Sequence, residues 1–572
     1  MSDRSRFLSV LILTAFICIL TIPAMAADKP ISAPLPEQYS GQMPEGRGFI
    51  APRLNMSHIV SEKPTLKFAT VDVDTIDQFD WRTTGKVTPV KNQSFCGACY
   101  SFASLGCFES KVLIDSNVVY DFSENHSKEC NYFGTSCGGG NFDYLASLYS
   151  IEGTVLESCD PYVASDVACN STCDIQKVLL DWRIISTTNI PTPSALKSYI
   201  YNYGPVYTAL YTGDTDDIAW QSEFNIYDGS YTLYYNNLSY SPNHAVLLVG
   251  WDDSLSHAGG TGGWIVKNSW GTSWGGTCGF GGESGYFTIA YGSANFGQWS
   301  SYVHEWQNYE ATETLLYYDE AGATQYWGYS NVTGYGLAGY TPSSDGYLTR
   351  VEFWTNDACT DVDVYVYDDF TTGTSNLLAS QLDNSYNEPG YHSVLLDSPP
   401  ALTSGDDIYI VVKLTNVSYG FPIVGDHMSP NESSKTYISS SGLAGSWYEM
   451  GINEGCDIAI RGRTSPNLSV DVNDDISPGP VMYSLKQNYP NPFNPSTVFD
   501  YTVETRSHVT ISIFNILGQP VKTLVDEVKS AGTHSISWDG TNEDGKPMST
   551  GIYFYRITSG DYTETRKMIL LK

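Results

Sequence analysis

The chain has 572 residues, more than one hydrophobic core of ~250–300 residues can organise, so several domains are expected. Its 63 acidic against 30 basic residues leave a formal charge of −33, which argues against nucleic-acid or anionic-membrane partners, since both require a basic face. At the start, Arg4 and Arg6 precede the apolar run Phe7 to Ile22 and the small-residue site Ala24-Met25-Ala26, so residues 1–26 read as a secretory signal removed on export. That run is too short for a stable span, and no later window reaches ~20 apolar residues, so no transmembrane segment is expected in the mature protein. Residues 27–75 are rich in proline and polar residues with little periodicity and read as a propeptide, a plain spacer being the competing reading.

Gln93-Ser94-Phe95-Cys96-Gly97-Ala98-Cys99-Tyr100 comes next, and its two nearby cysteines could be a metal site, a redox pair or a nucleophile beside a structural cysteine. Phe102, Ala103, Gly106, Ser110 and Leu113 recur at three- and four-residue spacing, so a buried helix is expected to open at Cys99. A thiol at a helix N-terminus leans towards thiolate. A base is supplied downstream by Asn243-His244-Ala245-Val246-Leu247-Leu248-Val249, where His244 leads into a buried strand. A second strand, Gly263-Trp264-Ile265-Val266-Lys267-Asn268, ends in an amide that can accept from the imidazole N–H and fix its tautomer.

These segments resemble the papain family of cysteine peptidases, whose local signature is Cys-Gly-Ser/Ala-Cys-Trp/Tyr. The resemblance spans residues 76–304 and includes Phe79-Asp80-Trp81-Arg82, Phe122-Ser123-Glu124-Asn125 and Gly285-Tyr286-Phe287. It implies Cys99 as nucleophile, His244 as base, Asn268 as orienting amide, and the Gln93 side chain with the Cys99 N–H as oxyanion donors. It further implies that Gly139 and Gly140, in the turn Cys137-Gly138-Gly139-Gly140, pair with extended substrate, that Asn243 lies near the cleft wall, and that Trp270 shields the His–Asn hydrogen bond, with Trp274 beside it. Tyr100 stands where the family usually carries Trp. The implied architecture is α+β, a helical half against a barrel-like β half.

Removing the signal leaves eleven cysteines, and setting Cys99 aside leaves ten, an even number consistent with export and disulfides. The resemblance implies Cys96–Cys137 and Cys130–Cys169. A bridge between Cys359 and Cys456 is expected in the next domain, while Cys107, Cys159, Cys173 and Cys278 can pair three ways. No metal or cofactor is expected, since Cys169 and Cys173 lack a second thiol pair or a histidine cluster nearby.

Over 311–465 the pattern changes to short alternating runs such as Val362 to Tyr367 and Ile408 to Val412, split by Gly, Asn, Ser and Asp, as in an antiparallel sandwich. It resembles the lectin-like domain that follows the peptidase in some bacterial relatives. Exposed Trp and Tyr there could stack on a carbohydrate ligand or serve only packing. Residues 466–480 form a polar linker in which Asp471, Asn473 and Asp475 alternate without the glycine and closing glutamate of a calcium loop. The tail, 481–572, carries strand patterns at Val509 to Asn515, His534 to Trp538 and Gly551 to Ile557 with an Asp539-Gly540 turn. It resembles the immunoglobulin-like sorting domain of the type IX secretion system, which implies that machinery as a partner and a protein secreted from, or attached to the outer surface of, a bacterium.

The expectation is therefore a multidomain chain, a papain-like peptidase followed by two all-β sandwiches, acting as a secreted cysteine endopeptidase on proteins or peptides. The competing reading is a non-catalytic adhesin or glycan-binding surface protein that uses the first domain as a scaffold.

Overall fold

The computed structural model describes residues 28–36, 46–59, 72–370, 373–443, 445–468 and, within 484–571, all but 486–487, 489–490, 492, 504–506, 530–531, 544 and 560–561. The signal at 1–26 and the alternating Asp471, Asn473 and Asp475 lie outside the described residues.

The first unit is built on helix α1, Cys99–Ser116, buried along its whole length except the last residue. It can sit that deep because most of its residues are apolar or small and its charged ones are paired, Glu109 with Lys91 and Lys111 with Asp115. At Gly106 an added Cβ would stand 3.1 Å from Leu247 Cδ2, so the helix lies almost directly on the strand that starts at His244. Around it lie α2 (Glu124–Cys130), α3 (Phe142–Ile151), α4 (Pro193–Tyr203) and α5 (Ile218–Asn225). Ser123, Asn141, Thr192 and Asp217 cap α2 to α5 through their side chains, whereas Ala98 leaves the start of α1 without a side-chain cap. Helix α1 packs on an antiparallel sheet in the order Ile175–Ile184, Gln298–Asn308, Val206–Leu210, His244–His257, Gly260–Lys267, Tyr286–Ala290.

That sheet does not stop at the unit's edge. Arg183 and Trp182 pair with Gly390 and Tyr391, so the strand Gly390–Leu395 carries the ladder into the middle domain, through Gly346–Thr355 and Ile460–Ser465. There it packs against a six-stranded sheet ordered Thr374–Tyr386, Cys359–Phe370, Ile408–Asn416, Thr333–Tyr340, Thr436–Ser439, Tyr448–Glu449. The C-terminal domain is a separate sandwich of three and four strands around Leu485, Phe499, Tyr501, Trp538 and Tyr555. Gly540 adopts φ +71° in its expected turn.

Residues 28–36 and 46–59 have defined partners. Ile31–Ser32 adds a strand to Gln325–Gly328 of the middle domain, and Lys29 pairs with Glu454 at 2.8 Å. Residues 46–50 then cross the first unit, and His58 stacks on Tyr419 at 3.7 Å.

Cys96–Cys137, Cys130–Cys169 and Cys159–Cys173 are disulfide-bonded. The expected bridge between Cys359 and Cys456 is not formed. Cys359 opens a strand of the six-stranded sheet with its thiol directed at Asn416 Oδ1 (3.2 Å), whereas Cys456 precedes Asp457–Ile458 in the small sheet with its thiol at Asp457 O (3.6 Å). Both are buried free thiols, packing as small apolar groups, as are Cys107 and, half-buried, Cys278.

Candidate active site

Cys99 starts α1 and is fully buried. Its sulfur accepts from the Ala245 N–H at 3.4 Å, which seats it beside His244 at the start of the neighbouring strand. His244 Nε2 lies 2.8 Å from Asn268 Oδ1, so the ring donates there. Nδ1 is left as a buried nitrogen with no hydrogen-bond partner. That tautomer is the one a thiol proton needs for acceptance. Asn268 Oδ1 also accepts from the Ser269 N–H at 2.9 Å, which holds the amide oriented. Trp270 lies over the imidazole at 5.1 Å between ring centres, and Trp274 braces it edge-on at 5.1 Å.

Gln93 is fully buried; its Oε1 accepts from Ser269 Oγ at 2.5 Å, which turns Nε2 towards Cys96 O (2.8 Å) and Gly46 O (3.1 Å). The amide thus already donates to a backbone carbonyl lying in the cleft. On the other side of Cys99, the Gly140 N–H donates to Gly48 O at 2.8 Å and Gly140 O accepts from the Ile50 N–H at 3.0 Å. Gly139 holds φ +105°, and a Cβ there would strike Gly48 O at 2.7 Å. Tyr100, in the position usually held by Trp, donates to Ser136 O at 3.1 Å and lies against Gly140.

Asn243 reaches the cleft through its backbone. Its O accepts from the Phe49 N–H at 3.2 Å, while its side chain is committed to Thr212 and to Gly213 O. The residues that sequence reasoning missed are those of the covering segment. Gly48 passes so close that a Cβ would lie 1.7 Å from Gly97 O. Arg47 is buried against Thr212, Asn225 and Trp270. The pair of glycines flanking Arg47 was the one local signal.

The cover sets the charge state. Burial pushes the Cys99 thiol up to about 11, against the pull of backbone N–H groups from Ala245, Gly48 and Tyr100. Burial likewise drives His244 down to about 3, against the hydrogen bond to Asn268, and the Arg47 charge lowers it further. The thiolate expected from the helix N-terminus is therefore not the state of the covered site, because desolvation outweighs the dipole. Beneath α1, Lys91 is held between Glu109 (3.1 Å), Asp121 (2.7 Å) and Glu124 (2.8 Å), bracing the loop that carries Gln93.

Residues 75–305 match the family model described as papain family cysteine protease, 315–464 that of the lectin like domain, and 495–562 that of the FlgD Ig-like domain. Among curated proteins, the viral cathepsin of Heliothis zea nuclear polyhedrosis virus is 33% identical over 212 residues, 36% of this chain and 51% of the relative. Falcipain-3 of Plasmodium falciparum is 30% identical over 218 residues, 37% of this chain and 40% of the relative. The chain spans about half the length of the curated relatives it matches. Among solved structures, the cysteine protease and lectin-like domains of Cwp84, a surface layer associated protein of Clostridium difficile, superpose with a TM-score of 0.62 at 18% identity, covering 78% of this chain and 100% of that one. The chain is thus multidomain, with a papain-like cysteine peptidase domain, a lectin-like β domain and a C-terminal Ig-like β domain.

Proposed function

We propose that the chain is a secreted cysteine endopeptidase that hydrolyses protein peptide bonds through Cys99, His244 and Asn268, with Gln93 and the Cys99 N–H as oxyanion donors. The observation that carries this reading is the His244–Asn268 hydrogen bond at 2.8 Å, which leaves Nδ1 unpartnered, next to Ala245, whose N–H donates at 3.4 Å to the sulfur of a cysteine at a helix N-terminus. The Cys99 sulfur attacks the substrate carbonyl carbon as its proton passes to His244 Nδ1. The carbonyl oxygen becomes the oxyanion held by Gln93 Nε2 and the Cys99 N–H. Collapse breaks the C–N bond, and the imidazolium returns its proton to the leaving amine. His244 then deprotonates water, whose oxygen attacks the thioester carbon; the C–S bond breaks, the acid leaves, and the imidazolium returns its proton to the Cys99 sulfur.

In this reading residues 1–26 are the export signal, 27–75 the propeptide and 481–572 the domain read by the type IX secretion machinery, leaving the enzyme secreted or attached to the outer surface of a bacterium. Gly139, Gly140, Asn243 and Trp270 line the substrate path. The path of residues 46–50 across the cleft supports the propeptide assignment. For the middle domain, the half-buried aromatic face of Tyr335, Tyr365, Tyr409, Tyr437 and Trp447 supports a carbohydrate ligand, since such rings stack on sugar faces.

An epoxide cysteine-peptidase inhibitor should label the processed protein at one site, with labelling lost in Cys99→Ala, and the processed protein should cleave denatured protein. A processed chain that neither labels nor cleaves would sink the peptidase reading and leave the adhesin reading in its place.

A further inference from the structure

Arg47 is only 4% exposed, although nothing about its local sequence requires a buried charge. Its Nε donates to Thr212 Oγ1 at 2.8 Å, its Nη2 to Asn225 Oδ1 at 2.8 Å and Thr212 O at 3.2 Å, and the guanidinium lies 5.1 Å from the Trp270 ring centre. A hydroxyl, a carbonyl, an amide oxygen and an aromatic face thus converge on one planar cation.

The acceptors are held in place by the protein, independently of the arginine. Asn243 Oδ1 accepts from both the N–H and the Oγ1 of Thr212 at 3.0 Å, and its Nδ2 donates to Gly213 O at 3.0 Å. Gly213 is pressed against α5 so closely that a Cβ would sit 2.3 Å from the Gln221 nitrogen, which fixes the Thr212 loop relative to Asn225. The pocket therefore outlasts removal of the segment.

Its place in the cleft gives it a role. Gly48 O and the Ile50 N–H pair with Gly140 on one side of Cys99, where an extended acyl chain would pair, while Arg47 lies at the opposite end, beside Thr212, Asn225 and Trp270. That end receives the leaving group. We propose that the Thr212–Asn225–Trp270 pocket is an arginine subsite on the leaving-group side, so that the processed enzyme prefers protein substrates carrying arginine shortly after the cleaved bond. This rests on the peptidase reading above.

The test uses processed enzyme, its concentration set by epoxide titration, and a peptide series bearing Arg, citrulline or Ala at the first and second positions after one scissile bond, with products mapped by mass. Arginine at one of those positions should raise kcat/KM about tenfold over Ala, the size of one charge-assisted hydrogen bond, and citrulline should lose most of that gain. Asn225 is exposed at the end of α5, so its replacement should spare the fold. Asn225→Asp should widen the Arg-to-Ala ratio and Asn225→Leu narrow it. Equal rates for all three peptides, or a ratio unmoved in both variants, overturns the subsite while leaving the peptidase intact. An enzyme that titrates with no epoxide and cleaves none of the series overturns the peptidase reading and the subsite with it.

Discussion

Cys99 and His244 share a cleft that the chain itself covers, and the cover decides their charge. With the thiol pushed up to about 11 and the imidazole down to about 3, both groups are neutral across the whole interval between. Removing residues 46–50 readmits water and so lifts the desolvation that is the largest cause of both shifts, and the ion pair favoured by the helix N-terminus becomes accessible. Alkylation of the full chain with iodoacetamide should therefore be slow at mildly acidic pH and climb only towards alkaline pH. The processed enzyme should react at least about tenfold faster near pH 6, and His244→Ala should abolish that excess. Equal acid-side rates before and after processing would show that the segment does not set the charge state. On the proposed mechanism Gln93→Ala should lower kcat by ~10²–10³ while leaving alkylation of Cys99 intact, because the donor it would remove is proposed to act on the oxyanion alone. Normal turnover in that variant would remove Gln93 from the mechanism. That Cys99, His244, Asn268 and Gln93 would be brought together was legible in the sequence because each sits in a short string of characteristic residue types. Arg47, Thr212 and Asn225 were not. Their contacts join positions 165 and 178 apart, and a threonine or an asparagine is an ordinary residue until a guanidinium is found against it.

At the scale of elements, the alternating and helical patterns led to the right strands and to α1, since burial of one face dictates them. The cysteine parity argument failed for Cys359 and Cys456, because evenness constrains a count and says nothing about which strands meet. The covering segment has no periodicity to read; its shape comes from backbone pairing with Gly140 and from the close approach of Gly48 to Gly97. Gly48→Ala should loosen that segment, since the methyl would overlap the Gly97 carbonyl, and raise the activity of unprocessed chain towards a small substrate. Unchanged latency would mean that residues 46–50 are not what holds the cleft shut. Helix α3 offers a pH test. Burial raises the Asp143 carboxyl to about 7, and its Oδ1 has no hydrogen-bond partner. A carboxyl raised above its unfolded value keeps its proton longer in the folded state, so its contribution to stability is present below about pH 4 and is lost as pH rises towards 7. Asp143→Asn should melt with wild type near pH 4 and above it at pH 7.5. Superimposable pH profiles for the two proteins would refute the assignment.

At the scale of the whole molecule, the peptidase and the lectin-like domain behave as one body because a single sheet runs through both and a buried charge locks the seam. Arg461, on the last long strand of the middle domain, is fully buried. It reaches Asp319 Oδ2 at 2.8 Å, Ser150 Oγ at 2.7 Å and Ser147 Oγ at 3.2 Å, the two serines belonging to α3 of the peptidase. Such a pair does not declare itself in sequence, where Arg461 reads as one more polar residue in an alternating strand. Burial raises the Asp319 carboxyl to about 6 even with the guanidinium beside it, so the pair as a whole adds little net stability, but losing one member strands the other. Arg461→Met should therefore cost roughly 3–5 kcal/mol in urea unfolding, whereas Arg461→Met with Asp319→Leu should recover most of that loss. The single variant should also separate the unfolding of the two domains, because it strands the Asp319 charge at the seam, leaving the ladder between Trp182–Arg183 and Gly390–Tyr391 and the apolar contacts of Tyr326, Trp354 and Tyr391 with the peptidase core to hold them. The separation can be read by comparing the loss of epoxide labelling at Cys99 with intrinsic fluorescence across the same urea series. Coincident transitions in wild type that split in Arg461→Met are the expected result. Equal destabilisation of the single and double variants would show that Arg461 stabilises the seam by packing alone and that the buried charge is incidental.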